Sequence, residues 1–282
     1  MSKGYLTFVQ NNSKTDYLRL AYTQALSIKV TQKINQYAVV VDDATFALVT
    51  DRHKEVFDYI IRMPNGDDAA NDHWKLKNEW KAHLATPFDE TVKLESDILF
   101  SHSVDHWWDI MSAKELCFTT QVLDYRGNVA TSREYRQLFD QNNLLNVYNG
   151  FYYFRKTELT RQFFDIAKQL FRNWDQIKTT LLVDAENEPG STDVVFAVAC
   201  KLVGDQHCYL PGAVPTFTHM KGAINGWQPD VDWRDQVYNQ VDGTSLTVGF
   251  QRQRVPFHYY QKGYITNELL EFYERRYRET RI

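Results

Sequence analysis

The chain has 282 residues, 43% hydrophobic and 24% charged, with a net charge of −4, the ordinary composition of a soluble globular protein with ample length for a core. The negative balance gives no general nucleic-acid footprint. Cys117, Cys200 and Cys208 are too few and too scattered for a disulfide framework or a zinc site, which points to a reducing, cytoplasmic setting.

No apolar run reaches membrane-spanning length, and Met1-Ser2-Lys3-Gly4 leads straight into a strand rather than a signal peptide. Tyr5 to Val9 alternates and reads as that strand, followed by a polar turn at Gln10-Asn11-Asn12-Ser13. Asp16 to Lys29 carries apolar residues at helical spacing. Tyr37-Ala38-Val39-Val40-Val41 is a continuous apolar run, typical of a strand buried on both faces, and it ends in Asp42-Asp43. Thr50 or Asp51 can cap a short helix through Val56, and Tyr59-Ile60-Ile61 reads as a third strand. Strand, helix, strand, helix, strand is the signature of a parallel sheet in an α/β domain.

Asn71 to Leu84 reads as a helix rich in Trp and Lys, broken at Pro87-Phe88-Asp89. The next stretch, Thr91 to Phe100, is apolar except for its acids. Glu95 and Asp97 lie two apart, so at a strand end their side chains share one face. Two converging carboxylates attract a hard divalent cation such as Mg²⁺ or Mn²⁺ with phosphate oxygens. The alternative is a strand whose last residues turn into solvent. Parallel sheets bind ligands at the carboxyl ends of their strands, and Gln10, Asn11, Asp42 and the acid pair all stand just after apolar strands. No GxGxxG follows the first strand and no GxxxxGK[ST] occurs, so a dinucleotide site and a P-loop are both unsupported.

Ser103 can cap a short helix containing Trp107 and Trp108, Leu116 to Leu123 is β-like, and Asp124 to Asn128 is turn chemistry. Val147 to Phe154 is an aromatic strand with Gly150 inside it, where a glycine suits close backbone approach to a ligand. Thr157 to about Thr180 is a long amphipathic helix, and Pro189 to Asp193 opens another. Asn225-Gly226 favours a hairpin turn, and a charged helix from about Asn267 to Arg278 ends the chain.

The order of these segments resembles the GT-A fold glycosyltransferases, most closely the glycogenin-like and bacterial lipopolysaccharide galactosyltransferase-like group. Pro87 to Asp97 resembles that group's strand into its DxD motif, with Glu95 in place of the first aspartate. Asn146 to Phe154 is similar to its N-S-G-V-x-x-F strand. Ser191-Thr192-Asp193-Val194 is similar to its D-Q helix start, with valine for the glutamine. Phe257-His258-Tyr259-Tyr260-Gln261-Lys262-Gly263 falls where the group has a histidine-to-lysine motif, without its Pro-Trp ending.

The resemblance implies one GT-A domain over 1–282, a mixed, mainly parallel α/β sheet flanked by helices. Residues 1–125 would form the nucleotide-sugar side, and 126–282 the acceptor side with a C-terminal extension. It implies Mn²⁺ or Mg²⁺ on Glu95, Asp97 and His258, with His219 competing for the third place. Gln10, Asn11, Asp42, Lys93, Glu95, Lys221 and Lys262 become nucleotide-sugar contacts, and Asn149 and Asp193 become the catalytic residues, facing the sugar. The implied donor is a UDP-sugar, hexose before pentose. The acceptor is a glycan or glycolipid rather than nucleic acid, held by aromatics among Trp174, Trp227, Trp233, Tyr259, Tyr260 and Tyr264. Glycosylation of a modified DNA base, a nucleotidyltransferase and an inactive nucleotide-sugar-binding domain stay open.

Overall fold

The computed structural model describes residues 1–70, 75–130, 136–186, 190–212, 214–228, 231–242 and 245–281. Among the described residues, six strands form the central sheet: β1 (Lys3–Val9), β2 (Tyr37–Val41), β3 (Tyr59–Arg62), β4 (Glu90–Leu94), β6 (Leu116–Thr119) and β7 (Tyr148–Arg155). Their order is β3-β2-β1-β4-β7-β6. The first four are parallel, and β7 runs antiparallel to β4 and to β6. The sheet is therefore mixed and mainly parallel, as expected.

Alternation along each strand sends side chains to opposite faces. Tyr5, Val39, Val41, Val92 and Tyr153 join one core cluster, with residues of the helices Tyr17–Thr31 and Asn267–Glu279. Leu6, Ala38, Val40, Tyr152 and Phe154 join the other, with the helices Glu158–Arg172 and Thr192–Val203. Both faces are covered, which is why β2 and β4 are buried along their whole length.

The remaining strands are β5 (Ile98–Leu99), β8 (Thr218–His219), β9 (Asn239–Asp242), β10 (Ser245–Val248), β11 (Gln251–Arg252) and β12 (Phe257–His258). They make two small sheets, ordered β11-β10-β9 and β5-β12-β8. The second sheet joins the residues just after the acid pair to the late histidine strand.

Several local expectations change. The Asn71 to Leu84 helix is a 3₁₀ segment, Lys75–Lys81, followed by the single turn Ala82–Ala85; residues 71–74 of that reading lie outside the described residues. Pro189 of the helix-opening stretch lies outside them too. The long helix after Thr157 is two, Glu158–Arg172 and Trp174–Leu181, separated at Asn173, whose backbone leaves helical angles. Asn225-Gly226 is no hairpin: Gly222–Asn225 is one helical turn, and Gly226, at φ 72°, terminates it in the left-handed region. No described helix is long and apolar enough to cross a membrane. All three cysteines are buried and free.

Gly4 sits inside β1, and a Cβ there would lie 2.4 to 2.7 Å from the ring of Phe88, which is itself buried. Gly4→Ala is expected to cost about 1–3 kcal/mol by overpacking, read as a lower urea midpoint at unchanged slope. An unchanged midpoint would mean that the Phe88 ring has room to turn.

Candidate active site

β1 and β4 are adjacent and parallel, so their carboxyl ends open on the same edge of the sheet. Gln10 and Asn12 follow β1, and Glu95-Ser96-Asp97 follows β4. The acid turn is held by backbone contacts on two sides. Glu95 N–H donates to Gly150 O at 2.9 Å, and Tyr259 N–H donates to Asp97 O at 3.2 Å. Underneath, the fully buried Gln24 donates to Glu95 O at 2.6 Å and Ile98 O at 2.9 Å. Its own oxygen accepts from Thr7 and Tyr37. Gln24 thus ties the acid turn to the sheet. A glutamine within an apolar helical pattern is the one sequence signal that could have marked it.

β12 lies antiparallel to β5, with His258 opposite Ile98, and this register carries the histidine to the acids. His258 Nε2 stands 2.8 Å from Asp97 Oδ2 and 3.5 Å from Glu95 Oε2. Lys262 Nζ contacts the same Asp97 oxygen. Asp97 and His258 are buried, while Glu95 keeps 28% of its side chain exposed. Burial opposes charge on Asp97, but His258 and Lys262 outweigh it and hold the carboxyl far below its ordinary range. Burial likewise disfavours the Lys262 charge, and Asp97 more than reverses that, holding its pKa above the usual lysine value.

Ligand atoms of Glu95, Asp97 and His258 all lie within 4.8 Å of one another. Two carboxylate oxygens and an imidazole nitrogen make a donor set that suits Mn²⁺ or Mg²⁺. The residues fit such an ion, provided that it displaces or shares the Lys262 contact on Asp97.

His219 is not part of this group. It pairs with His258 across β8 and β12, its ring stacked 4.4 Å away and inclined by 2°. Burial, then the neighbouring His258 and Lys221, push its pKa well down, so it backs the His258 ring as a neutral imidazole.

A cavity of about 430 Å³ opens beside the acids. Gln10, Asn12 and Tyr17 line it after β1, and Asn78 and Glu79 from the 3₁₀ segment. Glu95, Asp97, His258, Tyr260 and Lys262 form its charged and aromatic side, with Phe8, Leu76, Leu94 and Ser96 between. Gln10 reaches the cavity with its amide already engaged, donating to Asp67 at 2.9 Å and accepting from Asn78 at 3.0 Å. It fixes the neighbouring loop as much as it offers itself to a ligand.

Four expected nucleotide-sugar contacts, Asn11, Asp42, Lys93 and Lys221, do not line this cavity. Asn11 spends its amide on the start of the first helix, accepting from Leu18 N–H and donating to Asp16. Asp42 caps the turn Asp43–Phe46 by accepting from Thr45 N–H. Lys93 points into the core on β4 and faces Glu79 at 2.5 Å, a buried ion pair without hydrogen-bond alignment. Strand alternation decides this, since Lys93 and Glu95 can share a face only while the strand continues, and β4 ends at Leu94.

Asn149 and Asp193 meet on the other side of Glu95. Asp193 accepts from Asn149 N–H at 2.7 Å and from Arg136 at 2.6 Å. Both atoms of the buried Asn149 amide lack a hydrogen-bond partner among the described residues. A Cβ on Gly150 would press on the Phe217 ring at 3.2 Å, while Glu95 Oε2, at 3.4 Å, would be in ordinary contact. Lys221 is close enough for its charge to feel Asp193 and Glu95, while burial lowers its pKa. Arg136, Glu79 and Asn78 carried no motif, and their roles depend on contacts far along the chain.

The expected aromatic acceptor surface is mostly core. Trp174, Trp233, Tyr259 and Tyr264 are buried, and Trp227 is stacked between Tyr125 and Trp233. Of the six aromatics, Tyr260 is the one both exposed, at 41%, and on the cavity wall. It stands at φ 62°, a left-handed conformation that costs a side chain with a Cβ on the order of 1–3 kcal/mol.

No protein-family model and no curated protein matches the sequence. Among solved structures, the chain is similar to the apo form of the glycosyltransferase GlyE of Streptococcus pneumoniae TIGR4. That match has a TM-score of 0.41 and 10% identity, over 73% of this chain and 44% of that one. It is also similar to the apo form of mouse xyloside xylosyltransferase 1, with a TM-score of 0.45 and 9% identity, over 73% and 84% of the two chains. PaToxG glycosyltransferase gives a TM-score of 0.42 and 7% identity, over 71% and 67%. The chain thus spans less than half of the GlyE chain. At such distances activity has to be read from the chain's own side chains.

Proposed function

We propose that this chain is a metal-dependent glycosyltransferase. It moves a sugar, hexose before pentose, from a nucleoside diphosphate sugar of the UDP class to a glycan or glycolipid. The observation that carries the reading is the convergence of Glu95, Asp97, His258 and Lys262 on the wall of one cavity, at the carboxyl ends of β1 and β4. Such a cluster matches a ligand with a diphosphate at its centre, and the cavity beside it has room for the remainder.

The departing group of this reaction is a nucleoside diphosphate that gains negative charge. A divalent ion on Glu95, Asp97 and His258 supplies Lewis-acid neutralisation of that charge when bound. Lys262, held cationic by Asp97, is a second positive group at the same place. Gln24 and Gly150 O keep the acid turn in position, so little reorganisation is needed when the donor arrives. In this reading Asp193, oriented by Arg136 and Asn149 N–H and 25% exposed, receives a sugar hydroxyl, whereas the Asn149 amide is buried and neither residue lines the cavity.

The test is incubation with a panel of nucleotide sugars and Mn²⁺, following release of free nucleoside diphosphate. Release should stop with chelator and return with Mn²⁺ or Mg²⁺. Full turnover in chelator would remove the metal from the reaction, and pyrophosphate as product would indicate nucleotidyl transfer. Binding without turnover on any acceptor would leave a nucleotide-sugar-binding domain. Calorimetry should find UDP binding that needs the metal; binding of GDP, CDP or dTDP alone would reject the donor class.

A further inference from the structure

Tyr260 occupies the centre of a three-residue turn. Gln261 N–H donates to Tyr259 O at 2.6 Å, and Tyr260 itself has φ 62°. This positive-φ form of the turn is rare and strained. The other non-glycine residues with positive φ among those described are Asn65, Asn143 and Asp184, types that tolerate the left-handed region. An aromatic residue has no such excuse.

The turn itself has a clear use. It folds the chain back so that His258 and Lys262 both reach one oxygen of Asp97. A glycine at its centre would make the same reversal without steric cost. What glycine would lack is the ring, and the ring is not a core element, since Tyr260 is 41% exposed. It lies 5.9 Å from the His219 ring and 6.3 Å from the His258 ring, edge to face in both cases. That puts an aromatic wall beside the cation cluster, on the side held by the two histidines.

We propose that Tyr260 is a specificity-determining residue whose ring packs against the sugar moiety of the bound nucleotide sugar. The proposal rests on the functional reading above. With the diphosphate held at Asp97 and Lys262, the group joined to its outer phosphate is the sugar. A saturated sugar ring offers a C–H face that an aromatic ring covers well. The strain of the turn is kept because the side chain meets the ligand there.

The experiment is calorimetric titration of Tyr260→Gly, Tyr260→Ala, Tyr260→Phe and the unaltered protein in Mn²⁺. Each is titrated with UDP and with the UDP-sugar that the unaltered protein binds most tightly among UDP-glucose, UDP-galactose, UDP-N-acetylglucosamine and UDP-xylose. Tyr260→Gly and Tyr260→Ala should weaken the sugar nucleotide roughly fivefold relative to UDP, the size of an aromatic packing contact. Tyr260→Phe should retain both affinities. Tyr260→Gly should melt no lower than the unaltered protein, because the turn is relieved. Equal losses for UDP and its sugar, no loss for either, or a Phe variant as weak as Ala would each overturn the proposal. So would a Gly variant that melts lower, which would assign the ring to the fold. If the unaltered protein binds no nucleotide at all, the functional reading falls first and this inference with it.

Discussion

Asp97→Asn is expected to lower turnover by at least about 10³-fold. The substitution keeps the shape but removes the charge that His258 and Lys262 share. An opposite charge near 4 Å is worth about 4 kcal/mol at an effective dielectric of 20, and each ~1.4 kcal/mol is tenfold in rate. Steady-state release of nucleoside diphosphate reads the loss directly, and Mn²⁺ titration should show weakened binding in parallel. Turnover within tenfold of the unaltered protein would put the metal and its lysine elsewhere.

From the sequence alone, loss of Asp97 would touch turnover far more than folding. The structure adds a folding cost, because Asp97 is 2% exposed and its carboxylate holds both His258 and Lys262. That cost should be about 1–3 kcal/mol, held down because Lys262 keeps 36% of its side chain in water. Activity therefore has to be measured well below the variant's melting temperature.

Lys93→Met is the substitution expected to damage folding most. Lys93 and Glu79 face each other at 2.5 Å, with 1% and 4% of their side chains exposed. Burial raises the Glu79 pKa, and Lys93 is the main group opposing that rise. Removing one partner of a buried pair leaves an uncompensated charge, at a cost of roughly 3–5 kcal/mol. The urea midpoint should fall accordingly. Glu79→Gln combined with Lys93→Met should recover much of it, since no bare charge remains. A single variant as stable as the unaltered protein would show that Glu79 finds another partner or water. Glu79 also lines the cavity, so ligand binding should fall with Lys93→Met although the lysine touches no ligand.

The early strands and the first helix were legible in the sequence because their signal is local. Tyr5 to Val9 alternates, and Tyr37 to Val41 is apolar throughout because both of its faces are covered. The acid pair was legible for a related reason. A carboxylate next to an apolar strand is costly enough to need an explanation wherever the chain leads.

Other features were decided only in three dimensions. His258 lies 161 residues after Asp97, and only the register of β12 against β5 brings the two together. Two histidines with similar surroundings in the sequence took different places, one facing the acids and one stacked behind, because β8 is the outer strand and β12 the central one. Lys93 carries the same charge as Lys262, yet one is locked in the core and the other reaches the cavity. The aromatic second half could not be divided into core and surface by composition, since a tryptophan serves either role and packing alone chooses. Periodicity records which face of an element is apolar. Which distant side chain meets a given charge depends on where strand ends come to lie, and that is set by the whole core at once.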